Sequence, residues 1–162
     1  MISLAHINRS YIPGDRRSVV RLLADLDRKY PGGLSWLDKR LNDVDLGRAY
    51  ADLLIVRSRI AAVSIVTPKG RRRSKLSTFF VCPAYRKHGL GTRLIKVLEY
   101  RWQSEDLEEV IVTVNRNDPD TAGFFSNHHF SKMASAVVSY GEGRWDHVMR
   151  WTPDAACSTT FS

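Results

Sequence analysis

A chain of 162 residues, 43% of them hydrophobic, is long enough to bury one core and too short for two ordinary domains. Its longest apolar runs, such as Ile60 to Val66, fall far short of the roughly 20 residues that span a bilayer, so no membrane helix is expected and a cytoplasmic, soluble protein is. The formal charge of +8 favours an acidic partner, but nucleotide cofactors, nucleic acids and acidic proteins all meet that description.

Ile2 to Arg9 reads as an opening strand, and beyond Pro13-Gly14-Asp15 the apolar Val19, Val20, Leu22, Leu23 and Leu26 recur at helical spacing, predicting a helix to about Lys29. Pro31-Gly32-Gly33 breaks it, and Ser35 is positioned to cap a second helix carrying Trp36, Leu37 and Leu41. Tyr50 to Val56 and Ile60 to Val66 are β-branched runs separated by Arg57-Ser58-Arg59, which predicts an antiparallel hairpin. The stretch Lys69 to Lys75 reads as a basic loop, and Leu76 to Cys82 as the next strand. From Leu90, apolar residues at 94, 97, 98 and 102 predict a helix to about Glu105 with one buried face. Glu109 to Val114 follows as a strand; strand, helix, strand in this order predicts a parallel pair with a right-handed crossover. A helix from about Asp120 to Asn127 and strands over Phe130 to Tyr140 and Trp145 to Trp151 complete a single domain over 1–152. The Ser/Thr-rich residues 153–162 are expected to be disordered.

Between the strand ending at Cys82 and the helix starting near Leu90 lies Pro83-Ala84-Tyr85-Arg86-Lys87-His88-Gly89-Leu90-Gly91. A strand that enters a glycine-containing turn and then a helix gathers backbone N–H groups and the positive end of the helix dipole around one point, which suits a phosphate. Gly89 and Gly91 let the backbone approach the anion, and Arg86 and Lys87 add charge. The dinucleotide fingerprint G-x-G-x-x-G is matched only in its first half, because Leu94 stands where the third glycine belongs and the strand order is wrong.

Val81-Cys82-Pro83-Ala84-Tyr85-Arg86-Lys87-His88-Gly89-Leu90-Gly91-Thr92-Arg93-Leu94 resembles, at every marked position, the acyl-CoA signature V-x-P-x-x-R-x-x-G-(hydrophobic)-G-x-x-L of the GNAT acyltransferases. The resemblance implies a GNAT-type mixed α/β fold, with a mostly antiparallel sheet, a central splayed parallel strand pair and flanking helices. It implies acetyl-CoA, or another acyl-CoA, as co-substrate, with the pantetheine arm between Leu76–Cys82 and Glu109–Val114. Val81 would then offer its backbone to the pantetheine or thioester, and the segment Arg86, Lys87, His88, Gly89, Leu90, Gly91 and Thr92 would hold the pyrophosphate. An amine acceptor follows, of a class that the sequence leaves open.

The segment Ala122 to Phe130 resembles the family's later A-x-x-(hydrophobic)-Y-x-x-x-G-F run, but with Phe125 in the tyrosine position and His129 in the glycine position. A phenyl ring donates no proton, so the usual general acid does not carry over. Another hydroxyl, a water or no acid at all must serve instead; Tyr140 is taken first as the hydroxyl that assists the transfer and Ser126 second, and for the base that deprotonates the amine Tyr140, Ser126, His147, Asp118 and Tyr85 are the candidates. Adjacent His128 and His129 point about 100° apart on a helix and have no third ligand at recognisable spacing, so no metal is expected. Cys82 reads as a core thiol, and with Cys157 as a reduced cysteine. Tyr30, Trp36 and Trp145 lie on segments that, by the resemblance, border the acceptor side. Arg71, Arg72 and Arg73 offer a contact for tRNA or DNA; the basic charge raises such acceptors, among them those of the small toxin-type acetyltransferases that block aminoacyl-tRNA, and no motif separates them. A homodimer stays open, as does a scaffold that binds CoA or nucleic acid without catalysis.

Overall fold

The computed structural model describes residues 4–139 and 145–157. Seven strands form one sheet in the order β1-β2-β3-β4-β5-β7-β6. They are β1 (Ile7–Ser10), β2 (Tyr50–Val56), β3 (Arg59–Pro68), β4 (Arg73–Val81), β5 (Glu109–Asn115), β6 (Phe130–Ser139) and β7 (Trp145–Trp151). The helices are α1 (Arg16–Leu22), α2 (Leu26–Lys29), α3 (Gly33–Asp45), α4 (Leu90–Ser104), α5 (Pro119–Ser126) and α6 (Pro153–Cys157). β4 and β5 are parallel, with Arg73 opposite Glu109 and Lys75 opposite Ile111. β1/β2, β2/β3, β5/β7 and β6/β7 are antiparallel. Contacts group the chain into two compact units, Met1–Thr67 with Leu76–Leu98, and Pro68–Lys75 with Glu99–Ser162.

In the first unit, β2 and β3 bury both faces. Ala51, Leu53, Val63 and Ile65 pack with Val19 and Leu23 of the α1 segment and with Leu37 and Leu41 of α3. Leu54, Val56, Ala61 and Ala62 pack with Leu90 and Leu94 of α4. Two covered faces explain why these strands read as continuous apolar runs rather than as an alternation. Their connection is tighter than the expected Arg57-Ser58-Arg59: Arg57 and Ser58 both take positive φ, 49° and 65°, as a two-residue primed turn requires, and Arg59 already belongs to β3.

The first helix does not run unbroken to Lys29. Leu23 leaves helical geometry at φ −101° and ψ 23°, and a short α2 follows. Gly32 at φ 76°, rather than Ser35, starts α3, and the Asp27 carboxylate accepts a hydrogen bond from Leu34 N at 2.7 Å. Gly33 is required for packing, since a Cβ there would lie 2.8 Å from Leu26 Cγ. Before α1, Asp15 accepts hydrogen bonds from Ile12 N and from both terminal nitrogens of Arg9. That arginine holds the Asp15 carboxyl below its ordinary pKa.

In the second unit Val110, Val112 and Val114 of β5 stand opposite Trp151, Met149 and His147 of β7. Fully buried Trp102 of α4 meets Trp151 edge-on at 5.2 Å between ring centroids, and Phe130 at 6.1 Å. The basic stretch is only partly a loop: Arg73, Ser74 and Lys75 are the first residues of β4, held in register with β5. Residues 153–157, expected to be disordered, form α6 with Ala156 buried; the last five residues of the expected tail lie outside the described residues.

Candidate active site

The turn from Cys82 to Gly89 is built where β4 hands over to α4, all within the first unit. Val81 ends the strand; Pro83–Tyr85 form a single 3₁₀ turn; the backbone then crosses left-handed space at Lys87 (φ 65°) and Gly89 (φ 77°) before α4 starts at Leu90. The anchors below are apolar, since Leu90 and Leu94 are buried in the cluster against which Val81 and Tyr85 pack. Tyr85, one of the candidate hydroxyls, therefore serves first as a lid on that cluster.

The first backbone hydrogen bond closing α4 runs from Arg93 N to Gly89 O, at 3.0 Å. Among the described residues, the N–H groups of Lys87, His88, Gly89, Leu90 and Gly91 have no acceptor. They precede a helix of 15 residues, so free donors and the positive helix end coincide. A Cβ at Gly89 would meet nothing within 4 Å, so the space outside the turn is open and the glycine is needed for its φ. Donors without acceptors, an open approach and the exposed side chains of Lys87 and His88 fit a pyrophosphate. Thr92 is half-buried in the first turn of α4.

Residues 20–130 match the Acetyltransferase (GNAT) family. The chain belongs to the GNAT acetyltransferase family. None of the curated proteins matches the sequence. Among solved structures it is similar to Ard1 from Thermoplasma volcanium, with TM-score 0.78 and 15% identity over 92% of this chain and 98% of that one. It is similar also to the PaiA N-acetyltransferase from Thermoplasma acidophilum in complex with coenzyme A, with TM-score 0.73 and 12% identity over 92% and 99% of the two chains. The ribosomal-protein-S18-alanine N-acetyltransferase from Escherichia coli matches with TM-score 0.73 and 14% identity over 91% and 94%. At these identities the likeness is one of fold.

In the second unit of this GNAT protein, the other candidates divide by what they touch. Phe125, in the family's tyrosine position, is 2% exposed, with its ring edge-on to Phe130 at 5.1 Å and to Phe124 at 5.3 Å. It is a core residue. Asp118 caps α5, accepting from Thr121 N at 3.1 Å and from Thr121 Oγ1 at 2.6 Å, so both carboxylate oxygens are engaged. Ser126 is exposed at the last position of α5, and His147 stands half-buried on β7 opposite Val114. Tyr140 lies outside the described residues.

His129 takes φ 72°, the left-handed conformation that explains a glycine in the family pattern. Its Nδ1 lies 2.9 Å from Glu99 Oε2, which also accepts from Trp151 Nε1 at 3.0 Å. Sequence reasoning missed this tie, because Glu99 is separated from both partners by a long stretch of chain. His128 instead lies against Phe124, 4.6 Å between centroids. Among the described residues no group of three or more His, Cys, Asp or Glu is placed to hold a metal, and no helix is long and apolar enough to cross a membrane. Cys82 is half-buried and Cys157 exposed, both free. Trp36 is partly exposed with the Arg40 guanidinium 5.9 Å above its ring, Tyr30 is half-buried between α2 and α3, and Trp145 opens β7.

Of the three successive arginines, Arg72 is committed to the fold. Its Nε donates to Asp106 O at 3.0 Å and its Nη1 pairs with Glu108 at 3.1 Å, while its carbonyl accepts from Glu108 N. Arg71 and Arg73 are exposed.

Proposed function

We propose that this GNAT protein transfers an acetyl or related acyl group from acyl-CoA to an amine, by direct attack while both are bound. The observation that carries the proposal is the row of free N–H donors from Lys87 to Gly91 at the start of α4. These, with Thr92, hold the pyrophosphate, and the Val81 N–H is directed to the pantetheine or the thioester carbonyl. An amide donor there stabilises the oxyanion that forms on attack. The amine must lose its proton before attack; an N–C bond then forms, the C–S bond breaks, and a proton ends on the departing thiol. A thiolate with a parent pKa of about 8.5 leaves readily near neutrality, so the chemistry tolerates Phe125 in the tyrosine position.

The decisive assay is thiol release from acetyl-CoA, with a polyamine, lysine peptides and charged tRNA offered in parallel. Turnover on any of them supports the proposal. Binding of CoA with no turnover on all three favours a binding scaffold that has lost catalysis, the alternative that the buried Phe125 suggests.

For the proton that reaches the sulfur, Tyr140 is the first choice and Ser126 the second. Replacing Tyr140 by Phe is expected to lower kcat by about 10²-fold with little change in CoA affinity, the usual loss for one general acid. Parental kcat in that variant, with a comparable loss in Ser126→Ala, would move the role to Ser126.

The acceptor is read as linked to nucleic acid, through Arg71 and Arg73 but not Arg72, whose side chain is held by Glu108 and Asp106. Each arginine–phosphate pairing removed should flatten the log–log salt dependence of tRNA or DNA binding by about one unit. The double substitution Arg71→Ser with Arg73→Ser is therefore expected to lower the slope by about two, as read by fluorescence anisotropy. A slope equal to the parent's would make these arginines a solvated edge.

A further inference from the structure

The Arg86 side chain is not extended towards the free donors of the turn. Its Nε donates to Val81 O at 3.0 Å, and its guanidinium carbon lies 5.5 Å from the centre of the Phe80 ring. The peptide unit whose carbonyl it holds is the one joining Val81 to Cys82. The N–H of that same unit donates to Ala61 O on β3 at 2.7 Å. One peptide plane is thus pinned at both ends, across to the neighbouring strand on one side and down to the turn on the other. The following groups are fixed as well: Cys82 O accepts from Tyr85 N at 2.8 Å, and Pro83 O from Arg86 N at 3.3 Å.

We infer that Arg86 acts as a positioning residue, which sets the orientation of the last peptide of β4 and through it the N–H of Val81, rather than as a phosphate ligand. The charge is secondary to the place of one nitrogen and the flat face behind it. Side-chain lengths make this testable. In glutamine the amide nitrogen follows Cδ, as Nε does in arginine, so Arg86→Gln keeps a donor at the required position and discards the charge. Lysine keeps the charge, places its donor nitrogen one atom beyond the position of arginine Nε, and has no planar face to lie on Phe80.

The pinning can be read without any ligand, so its failure is distinguishable from failure of the acyl-CoA reading on which the functional part rests. Amide hydrogen exchange at Cys82 is expected to stay within about threefold of the parent in Arg86→Gln and to accelerate about tenfold or more in Arg86→Lys. Exchange that is unchanged in both, faster in both alike, or faster only in Arg86→Gln overturns the inference. With acetyl-CoA, the expected split is a calorimetric affinity within about threefold of the parent in both variants. The kcat of thiol release to water is expected to fall about tenfold in the lysine variant and to survive in the glutamine variant. A phosphate ligand gives the opposite pattern: affinity and its salt dependence fall in Arg86→Gln and survive in Arg86→Lys. Slow exchange in the glutamine variant of a protein that does not bind CoA would leave the brace standing and remove the proposed function.

Discussion

Gly89→Glu is expected to abolish binding of CoA while leaving the fold in place. The carboxylate would stand at the mouth of the turn, where the N–H groups from Lys87 to Gly91 point without acceptors. Two like charges about 4 Å apart near a protein surface repel by roughly 4 kcal/mol, or about 10³-fold in affinity. Two terms govern the fold itself. A side chain at φ 77° costs about 1 to 2 kcal/mol, but its Cβ meets nothing within 4 Å, and a negative charge at a helix N-terminus is favourable. Gly89→Ala carries the same backbone cost without the charge and is the control, expected to bind within about tenfold of the parent. Calorimetry on variants with parental circular dichroism checks both. A glutamate variant that binds like the parent removes the pyrophosphate from this turn.

Trp102→Ala is expected to cost the protein about 3 to 5 kcal/mol of stability, the range for deleting a large buried aromatic. Trp102 has no exposed surface and supports Trp151 and Phe130 by edge-on contacts. Trp151 in turn donates to Glu99, which also holds His129 in its left-handed conformation. Removing the indole therefore opens a cavity and loosens the tie that keeps α4 against the start of β6. Denaturant unfolding measures the loss, and Trp102→Phe, expected to cost less, guards against a variant too unstable to study. A loss below about 1 kcal/mol in the alanine variant would contradict this description of the core.

The turn was legible in the sequence because it depends on local chemistry: a proline after an apolar strand, a glycine at 89 where φ is positive, and an apolar periodicity resuming at Leu90. The paired strands β2 and β3 were legible for the same reason, their apolar content being demanded by helices on both faces. Charge concealed the start of β4. Arg73 and Lys75 read as loop residues, yet strand pairing satisfies the backbone and leaves their side chains free to reach solvent. The break between α1 and α2 has no proline or glycine to announce it, and it serves the close approach of Leu26 to Gly33. Long-range ties left no local signal at all: Glu99 with His129 and Trp151, and Arg72 with Asp106 and Glu108. The role of Arg86 was half legible, since the motif marked the residue while its bond to Val81 depends on a turn that doubles back.

Backbone N–H groups that meet a pyrophosphate can be followed one by one in the backbone amide spectrum. In a titration of the labelled protein with CoA, the amides of Lys87, His88, Gly89, Leu90 and Gly91 are expected to show the largest shifts, and titration with pantetheine, which lacks the pyrophosphate, is expected to leave them nearly still. Shifts confined to residues outside this turn, or equal responses to CoA and pantetheine, would contradict a pyrophosphate bound at this turn.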